Sequence, residues 1–560
     1  MKRVLNYQRV RLIQIYGKAA FASALLLGGL TFLKLAPMTK AGLPEVMAGG
    51  ELKKLQATAT ARVAQRQEQL RQVRPEHYDL GRFPITNKNE KHWRNILWTT
   101  AVVEPQQPFV AEALDQILSM MTASGLSDSQ MRTVDTAAKV GTQLYLKYPD
   151  LYTSVRDRFL QAVDQSRDPE WVALALSGLE KSGMPLDQMQ VLAERVKARF
   201  PNWSNNVYLY TTIRDVADAI APSPTPPLED LLNWKIAPRQ LHLYALCQPD
   251  RDVLCQTVLK DRDGEFVRRQ DGQLWSMPLL LRTIHHGLGW NFVRGQTPQG
   301  VYRVEGIEPQ PDDEYFRAYG QFSLVKLFVP FESGAKQFLP GKPGSFVGNL
   351  TAYQNLLPPS WRNYWPIQES YWAGKVGRSE FRIHGTGESP DFFSSKSKEP
   401  EAYNWNPTIG CLSALELYNE KGQLLQADMP KLLKALRIIG GSNFTGYLIV
   451  VDLPGKPGQS IALNQIDTAI GNSKSKSLDR AKSLKQSTPK SQHANKKKSG
   501  NVALASNSLT ISPDPNAKFS PISAASSPNL SGIVDFTPPG TEQPKEIKPQ
   551  TPPHPIPLSY

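Results

Sequence analysis

A histidine at the end of one apolar run and a cysteine in a tight turn further along supply the minimum equipment for acyl transfer through a thioester. The histidine is His384, in Arg382-Ile383-His384-Gly385-Thr386, and the cysteine is Cys411, in Pro407-Thr408-Ile409-Gly410-Cys411-Leu412-Ser413. In such chemistry a thiolate attacks a carbonyl, an imidazole takes or returns the proton, and backbone N–H groups near the turn hold the oxyanion. The chain has three cysteines in 560 residues, and Cys411 alone lies beside a Gly-Cys turn. A free cysteine is more often a small core residue; Thr408 and Gly410 before it favour an exposed turn instead.

The remaining titratable and aromatic groups make weaker patterns. His285 and His286 are adjacent, so on a strand they point to opposite faces and do not easily ligate one metal. No carboxylate or cysteine stands near them at zinc spacing, so no metal site is expected, and His286 is kept only as a reserve base. Trp361, Tyr364, Trp365, Tyr371, Trp372 and Trp405 bracket the His-Gly segment. Such residues are usually core, but exposed near a site they stack on sugar faces, which makes Tyr371, Trp372 and Trp405 candidate substrate contacts. Cys247 and Cys255 flank Gln248-Pro249-Asp250-Arg251-Asp252. Facing each other in a hairpin they form a disulfide in an oxidising compartment, or else they remain two reduced, half-buried strand residues.

The elements that position these residues are legible from periodicity. Over residues 108–220 apolar residues recur at helical spacing: Val110, Leu114, Ile117 and Met121; Leu151, Val155, Phe159 and Val163; Leu186, Met189, Leu192, Val196 and Phe200. Asp168 followed by Pro169 reads as a cap and first turn, and Gly183 as a stop. This predicts an α-helical module of paired helices, a spacer or docking element with possible cell-envelope protein partners. A Pro-rich linker follows at 221–240. From Leu241 the period becomes alternating, with Asp263-Gly264 and Asp271-Gly272 as turns, and strands are expected at 301–304, 323–329, 379–383 and 446–451. After Leu453, Gly, Pro, Ser and Lys dominate, which predicts a disordered tail, Lys/Ser-rich and then Pro-rich, over 454–560.

Charge and the N-terminus bound the compartment. The formal charge is +14, but more than half of it falls in the Ser/Lys-rich run from Ser473 to Gly500, which argues for an unfolded basic tail and against nucleic acid. Lys2, Arg3, Arg9, Arg11 and Lys18 precede the apolar stretch Ala19 to Leu33. That order is the pattern of an export signal, so residues 1–41 are expected to be a signal peptide or a signal anchor in the cytoplasmic membrane. An extended or helical connector over 42–107 then leads to the rest, outside the cytoplasm, in the periplasm of the cell envelope.

The stretch 241–453 resembles the catalytic domain of the L,D-transpeptidases, the cysteine enzymes that cross-link peptidoglycan. Thr297-Pro298-Gln299-Gly300-Val301-Tyr302 matches the Thr-Pro-x-Gly turn of that family, Ile383-His384-Gly385-Thr386 its His-Gly-Thr/Ser strand end, and Thr408-Ile409-Gly410-Cys411 its Ser/Thr-His-Gly-Cys turn. Ile409 stands where the family has a second histidine, Ser413 where it has Arg or Asn, and the gap from His384 to Cys411 is longer than usual. The resemblance implies a mainly antiparallel β-sandwich within a multidomain chain. It also implies Cys411 as nucleophile, His384 as proton carrier, and an oxyanion pocket shaped by Gly410 and Thr408 beside Gly385 and Thr386, with Ser413 a weak substrate contact and no cofactor. The substrates it implies are peptidoglycan stem peptides, processed by transpeptidation or by L,D-carboxypeptidase cleavage. The alternative is a catalytically degenerate, membrane-tethered peptidoglycan-binding scaffold. On the enzyme reading, a histidine restored at position 409 raises activity or leaves it unchanged.

Overall fold

A computed structural model describes residues 59–310, 321–386, 407–419, 421 and 423–471. Helices come first: α1 (Ala59–Gln72), α2 (Glu90–Val103), α3 (Pro108–Leu118), α4 (Asp128–Lys147), α5 (Thr153–Gln165), α6 (Pro169–Lys181), α7 (Leu186–Arg199) and α8 (Val207–Ile220). Their ends follow local chemistry. Ser127 and Gln130 form a reciprocal capping box at the start of α4. The Asp168 carboxylate accepts from the N–H groups of Glu170 and Trp171 at 2.8 and 3.2 Å, and Pro169 opens α6. Helix α6 is the centre of this region, buried continuously from Trp171 to Leu179. Gly178 lets α5 approach it, because a Cβ there would come within 2.7 Å of the Phe159 ring.

The strands are β1 (Leu241–Cys247), β2 (Cys255–Lys260), β3 (Ser276–Leu279), β4 (Gly300–Glu308), β5 (Leu324–Phe328), β6 (Arg382–Thr386), β7 (Leu412–Tyr418), β8 (Leu424–Ala427) and β9 (Thr445–Asp452). They form one nine-stranded mixed sheet in the order β3-β2-β1-β9-β4-β5-β6-β7-β8. Only β1–β9 and β6–β7 are parallel. The sheet curls into a half-barrel, and Leu280, just past β3, exchanges both backbone hydrogen bonds with Ser413 of β7, at 3.0 and 2.9 Å. Leu241, Leu243, Ala245, Tyr302, Val304, Leu448 and Val450 face the concave core, into which α12 (Met429–Gly440) packs Met429, Leu432, Leu433 and Leu436. The intervening residues, Tyr244, Leu246, Val301, Tyr447, Ile449 and Val451, face a second core on the convex side. There α9 (Leu228–Asn233), α10 (Leu350–Gln354), α11 (Glu369–Lys375) and a helix at 463–471, α13, lie against the sheet.

This architecture corrects the expected one. Among the described residues there is no separate helical module followed by a β-sandwich; the β part is one curled mixed sheet, and helices and sheet share cores. Ile284, Leu288 and Phe292, from the segment after β3, lie in the helical core, while Val207 of α8 belongs to the convex core. Among the described residues no helix is long and apolar enough to cross a membrane. The expected membrane segment, 19–33, and the basic run after Ser473 lie outside the described residues. The connector and linker are also more structured than composition implied. Trp93, Ile96 and Leu97 of α2 are core, and Leu231 and Leu232 of α9 are buried on the sheet. Order continues past Leu453, because Ile461, Ile466 and Ile470 close the convex core.

Cys247 and Cys255 end β1 and begin β2, directly opposite each other, with Cα atoms 4.3 Å apart and a disulfide between them. Replacing both by alanine should lower stability in urea denaturation by about 2–3 kcal/mol, the chain-entropy value for a loop this short. Non-reducing peptide mapping should find these two joined and Cys411 free.

Candidate active site

The parallel pairing of β6 and β7 sets Ile383 opposite Leu412 and His384 opposite Ser413. Phe381, Ile383, Leu412 and Ala414 fill the concave core. By strand alternation Arg382, His384, Cys411 and Ser413 therefore share the opposite face. Two of the three motif segments meet directly at the turn before β7, where Thr297 Oγ1 donates to Gly410 O at 3.0 Å. Thr408 Oγ1 accepts from Gly410 N–H at 3.1 Å and donates to Cys411 O at 2.7 Å. Thr408 thus shapes the turn, but with both groups engaged neither its hydroxyl nor the Gly410 amide remains to meet an oxyanion.

Gly410 has φ +127° and faces Arg378: a Cβ would meet Nη2 at 2.6 Å and the Phe381 ring at 3.3 Å. No other residue type fits that combination of backbone and space. Arg378 itself is buried and spends its guanidinium on three carbonyls, those of Trp290, Gln296 (2.7 Å) and Gly295 (2.9 Å). Burial pushes it down to about 10. It clamps the segment after β3 to the cysteine turn, and nothing in the sequence marks it, since its partners are backbone atoms more than eighty residues away.

Cys411 is half-buried, and its Sγ donates to Glu380 O at 3.7 Å; His384 is not among its hydrogen-bond partners. Burial raises the thiol above its ordinary range, and the Arg382 amide with the Arg382 and Arg378 charges offsets this only in part. His384 is buried, with Nδ1 2.7 Å from Gly385 O. The carbonyl requires the proton on Nδ1, which leaves Nε2 as the basic nitrogen. Burial also lowers the imidazole pKa, so it is neutral at physiological pH. The structure therefore brings nucleophile and base to one face of adjacent strands, two positions apart, without joining them.

Ile409 explains the departure from the family motif. Its half-buried side chain packs against the helical core, the core to which Ile284, Leu288 and Phe292 of the segment after β3 belong. The backbone just before it is pinned by Thr408 N–H to Arg282 O (3.1 Å) and Ile284 N–H to Thr408 O (2.8 Å). The residue that would carry a second imidazole is an apolar anchor here.

The other expected contacts fall elsewhere. Tyr371 and Trp372 are core residues, packed on each other at 5.0 Å and on Phe331 and Tyr210, so their faces do not meet a sugar. Ser413 is wholly buried, as is Thr386. Trp405 and most of the insert from Glu388 lie outside the described residues. His285 is buried with Nδ1 on Gln143 Oε1 (3.2 Å), and His286 stands 3.9 Å from Asp252. Among the described residues no cluster of His, Cys, Asp or Glu could hold a metal. Sequence reasoning missed Glu416, which projects from β7 over Gly385: a Cβ at 385 would come within 1.9 Å of Oε2. Burial raises this carboxyl to about 7, with Tyr418 and the Gln321 amide on Oε1.

No family model matches the chain, no curated protein is significantly similar to it, and no solved structure matches it significantly.

Ile409→His should put a half-buried imidazole against the apolar helical core and cost on the order of 1 kcal/mol, the low end for a buried polar group without a partner. A thermal melt should show the loss, and Cys411 should gain no reactivity, so that of the two outcomes the motif implies only unchanged activity is expected.

Proposed function

We propose that this protein is an exported cysteine acyltransferase of the L,D-transpeptidase type, acting on peptidoglycan stem peptides. The observation that carries this is the convergence at one end of the sheet: Thr297 bonded to Gly410 at 3.0 Å, and His384 beside Ser413 in the strand next to Cys411. Segments more than a hundred residues apart meet around the only free cysteine. The Cys247–Cys255 bridge supports an oxidising compartment, in line with the basic N-terminal segment.

In this reading the Cys411 thiolate adds to the carbonyl carbon of an L-centre, the thiol proton passing to Nε2 of His384. Collapse of the tetrahedral adduct breaks the C–N bond, and the terminal D-residue leaves as an amine carrying that proton. An amine of a second stem peptide then attacks the thioester, gives up a proton to His384, and releases the Cys411 thiolate. Water as acceptor gives the carboxypeptidase outcome. The chemistry uses no cofactor.

A second reading, a stem-peptide-binding scaffold without catalysis, is favoured by the Sγ–H bond to Glu380 O in place of an imidazole contact and by the raised thiol pKa. A carbapenem-type acylating probe separates the two: added mass on Cys411 supports the enzyme, and none supports the scaffold.

Cys411→Ala should abolish acyl-enzyme formation, and His384→Ala should reduce it by roughly two to four orders of magnitude. Because the thiol is raised, the thiolate fraction and the acylation rate should still be climbing with pH above the ordinary thiol range. Mass spectrometry of the acyl-enzyme across pH checks both.

A further inference from the structure

The thiol of Cys411 rests against a carbonyl whose own position is unusual. Glu380 lies in the left-handed region, φ 62°, where a residue with a Cβ persists only when its surroundings hold it. Glu332, four residues past β5, does the holding. Its Oε1 accepts from Glu380 N–H at 2.9 Å and its Oε2 from Val329 N–H at 3.0 Å. Leu327 N–H still reaches Phe381 O at 3.2 Å. Beyond that point the carboxylate stands in for the missing strand partner of two amides.

We propose that Glu332 is a positioning residue for the nucleophile: it fixes the Glu380 backbone so that the Glu380 carbonyl keeps Cys411 as a resting thiol. A carbonyl that accepts S–H stabilises the neutral form and disfavours the thiolate. For Cys411 to react, the thiol has to leave that carbonyl, and Glu380 provides the route by relaxing out of its strained conformation. The device deepens the acyl-transfer reading and rests on it only in treating Cys411 as a nucleophile.

The latch is sensitive to pH. Burial raises Glu332 to about 7, the two amides and the facing Arg382 guanidinium oppose the rise, and the Glu380 carboxylate adds to it. Arg382 is itself paired with Glu308. Above that value both oxygens accept, as the two N–H groups require. Below it the added proton turns one oxygen into a donor aimed at an amide, and the latch loosens.

The test is iodoacetamide alkylation of Cys411 in the full-length protein, followed by peptide mass from pH 5.5 to 9. Glu332→Gln keeps the side-chain shape but offers one acceptor for two amides. It should alkylate on the order of tenfold faster at pH 8.5, one pKa step, with its profile moved to lower pH, and the difference should shrink below pH 7 as Glu332 itself takes up a proton. Glu332→Ala should do the same. Glu380→Gly takes a positive φ without strain but also removes a carboxylate that raises the thiol, so it should gain much less than the Glu332 variants. A folded Glu332→Gln protein whose rate and profile coincide with the unaltered protein overturns the proposal, and so does a Glu380→Gly protein accelerated as much as the Glu332 variants. Alkylation reads the thiol and not turnover of stem peptides. A protein inert on stem peptides that still follows this pattern therefore loses the acyl-transfer reading and keeps the latch.

Discussion

Burial of the central strands on both faces is the constraint on which the rest of this structure depends. In β1 and β9 nearly every residue is buried, with alternate side chains going to different cores. A sheet with two apolar faces needs two covers. Curling supplies one, by wrapping the concave face around α12. The other comes from segments distant in sequence: α9 before the sheet, α10 and α11 between β5 and β6, and α13 after β9. Each Leu, Ile or Val so buried contributes about 1.5–3 kcal/mol relative to exposure. The convex cover therefore has a strong reason to persist even where composition resembles a linker or a tail. The same demand encloses polar groups. Arg251, almost wholly buried, reaches Asp452 at the end of β9 at 2.6 Å, which offsets only part of the desolvation, so burial still raises the Asp452 carboxyl.

The cysteine turn is rigid for a different reason. Its polar atoms are committed: Gly410 N–H to Thr408, Gly410 O to Thr297, Cys411 O to Thr408, and the space beside Gly410 to a guanidinium fixed on three carbonyls. Ile409 fastens the turn to the helical core. A turn held this way presents one side chain in one direction, as a nucleophile requires. Its electrostatics pull the other way. Burial and the Glu380 carbonyl favour the thiol, while two arginines favour the thiolate, and burial prevails. The resting state is a protected cysteine on the same face as a neutral imidazole.

Some of this was legible in the residues. The helical faces over 108–220 and the Asp168 cap are local features, and α3 to α8 follow them closely. The apolar runs at 301–304, 323–329 and 446–451 fall in β4, β5 and β9 to within a residue, because runs of β-branched and aromatic residues suit the pleated strand. Cys411 and His384 stood out because their residue types are scarce and their flanking glycines mark turns. The sandwich did not follow, since local alternation says that a strand has an inside and not whether that inside belongs to one curled sheet or to two stacked ones. Tyr371 and Trp372 were misplaced for a related reason: an aromatic side chain reads the same whether its neighbour is a sugar or, as here, Tyr210 and Phe331.

By itself the sequence determined what depends on neighbours within a turn or two: element type, caps, the scarcity of free thiol and the separation of the charged C-terminal run from the apolar periods. Only the tertiary structure decided what depends on contacts across many residues. Ile409 became an anchor on the helical core, Arg378 a clamp on Gly295, Glu416 the reason for a glycine at 385, and Glu332 the support of a strained carbonyl beside Cys411. Each of these pairings joins positions from about thirty to more than a hundred residues apart. Their partners are backbone atoms or packed side chains that leave no spacing or motif behind, so they exist only once the sheet has curled and both of its faces are covered.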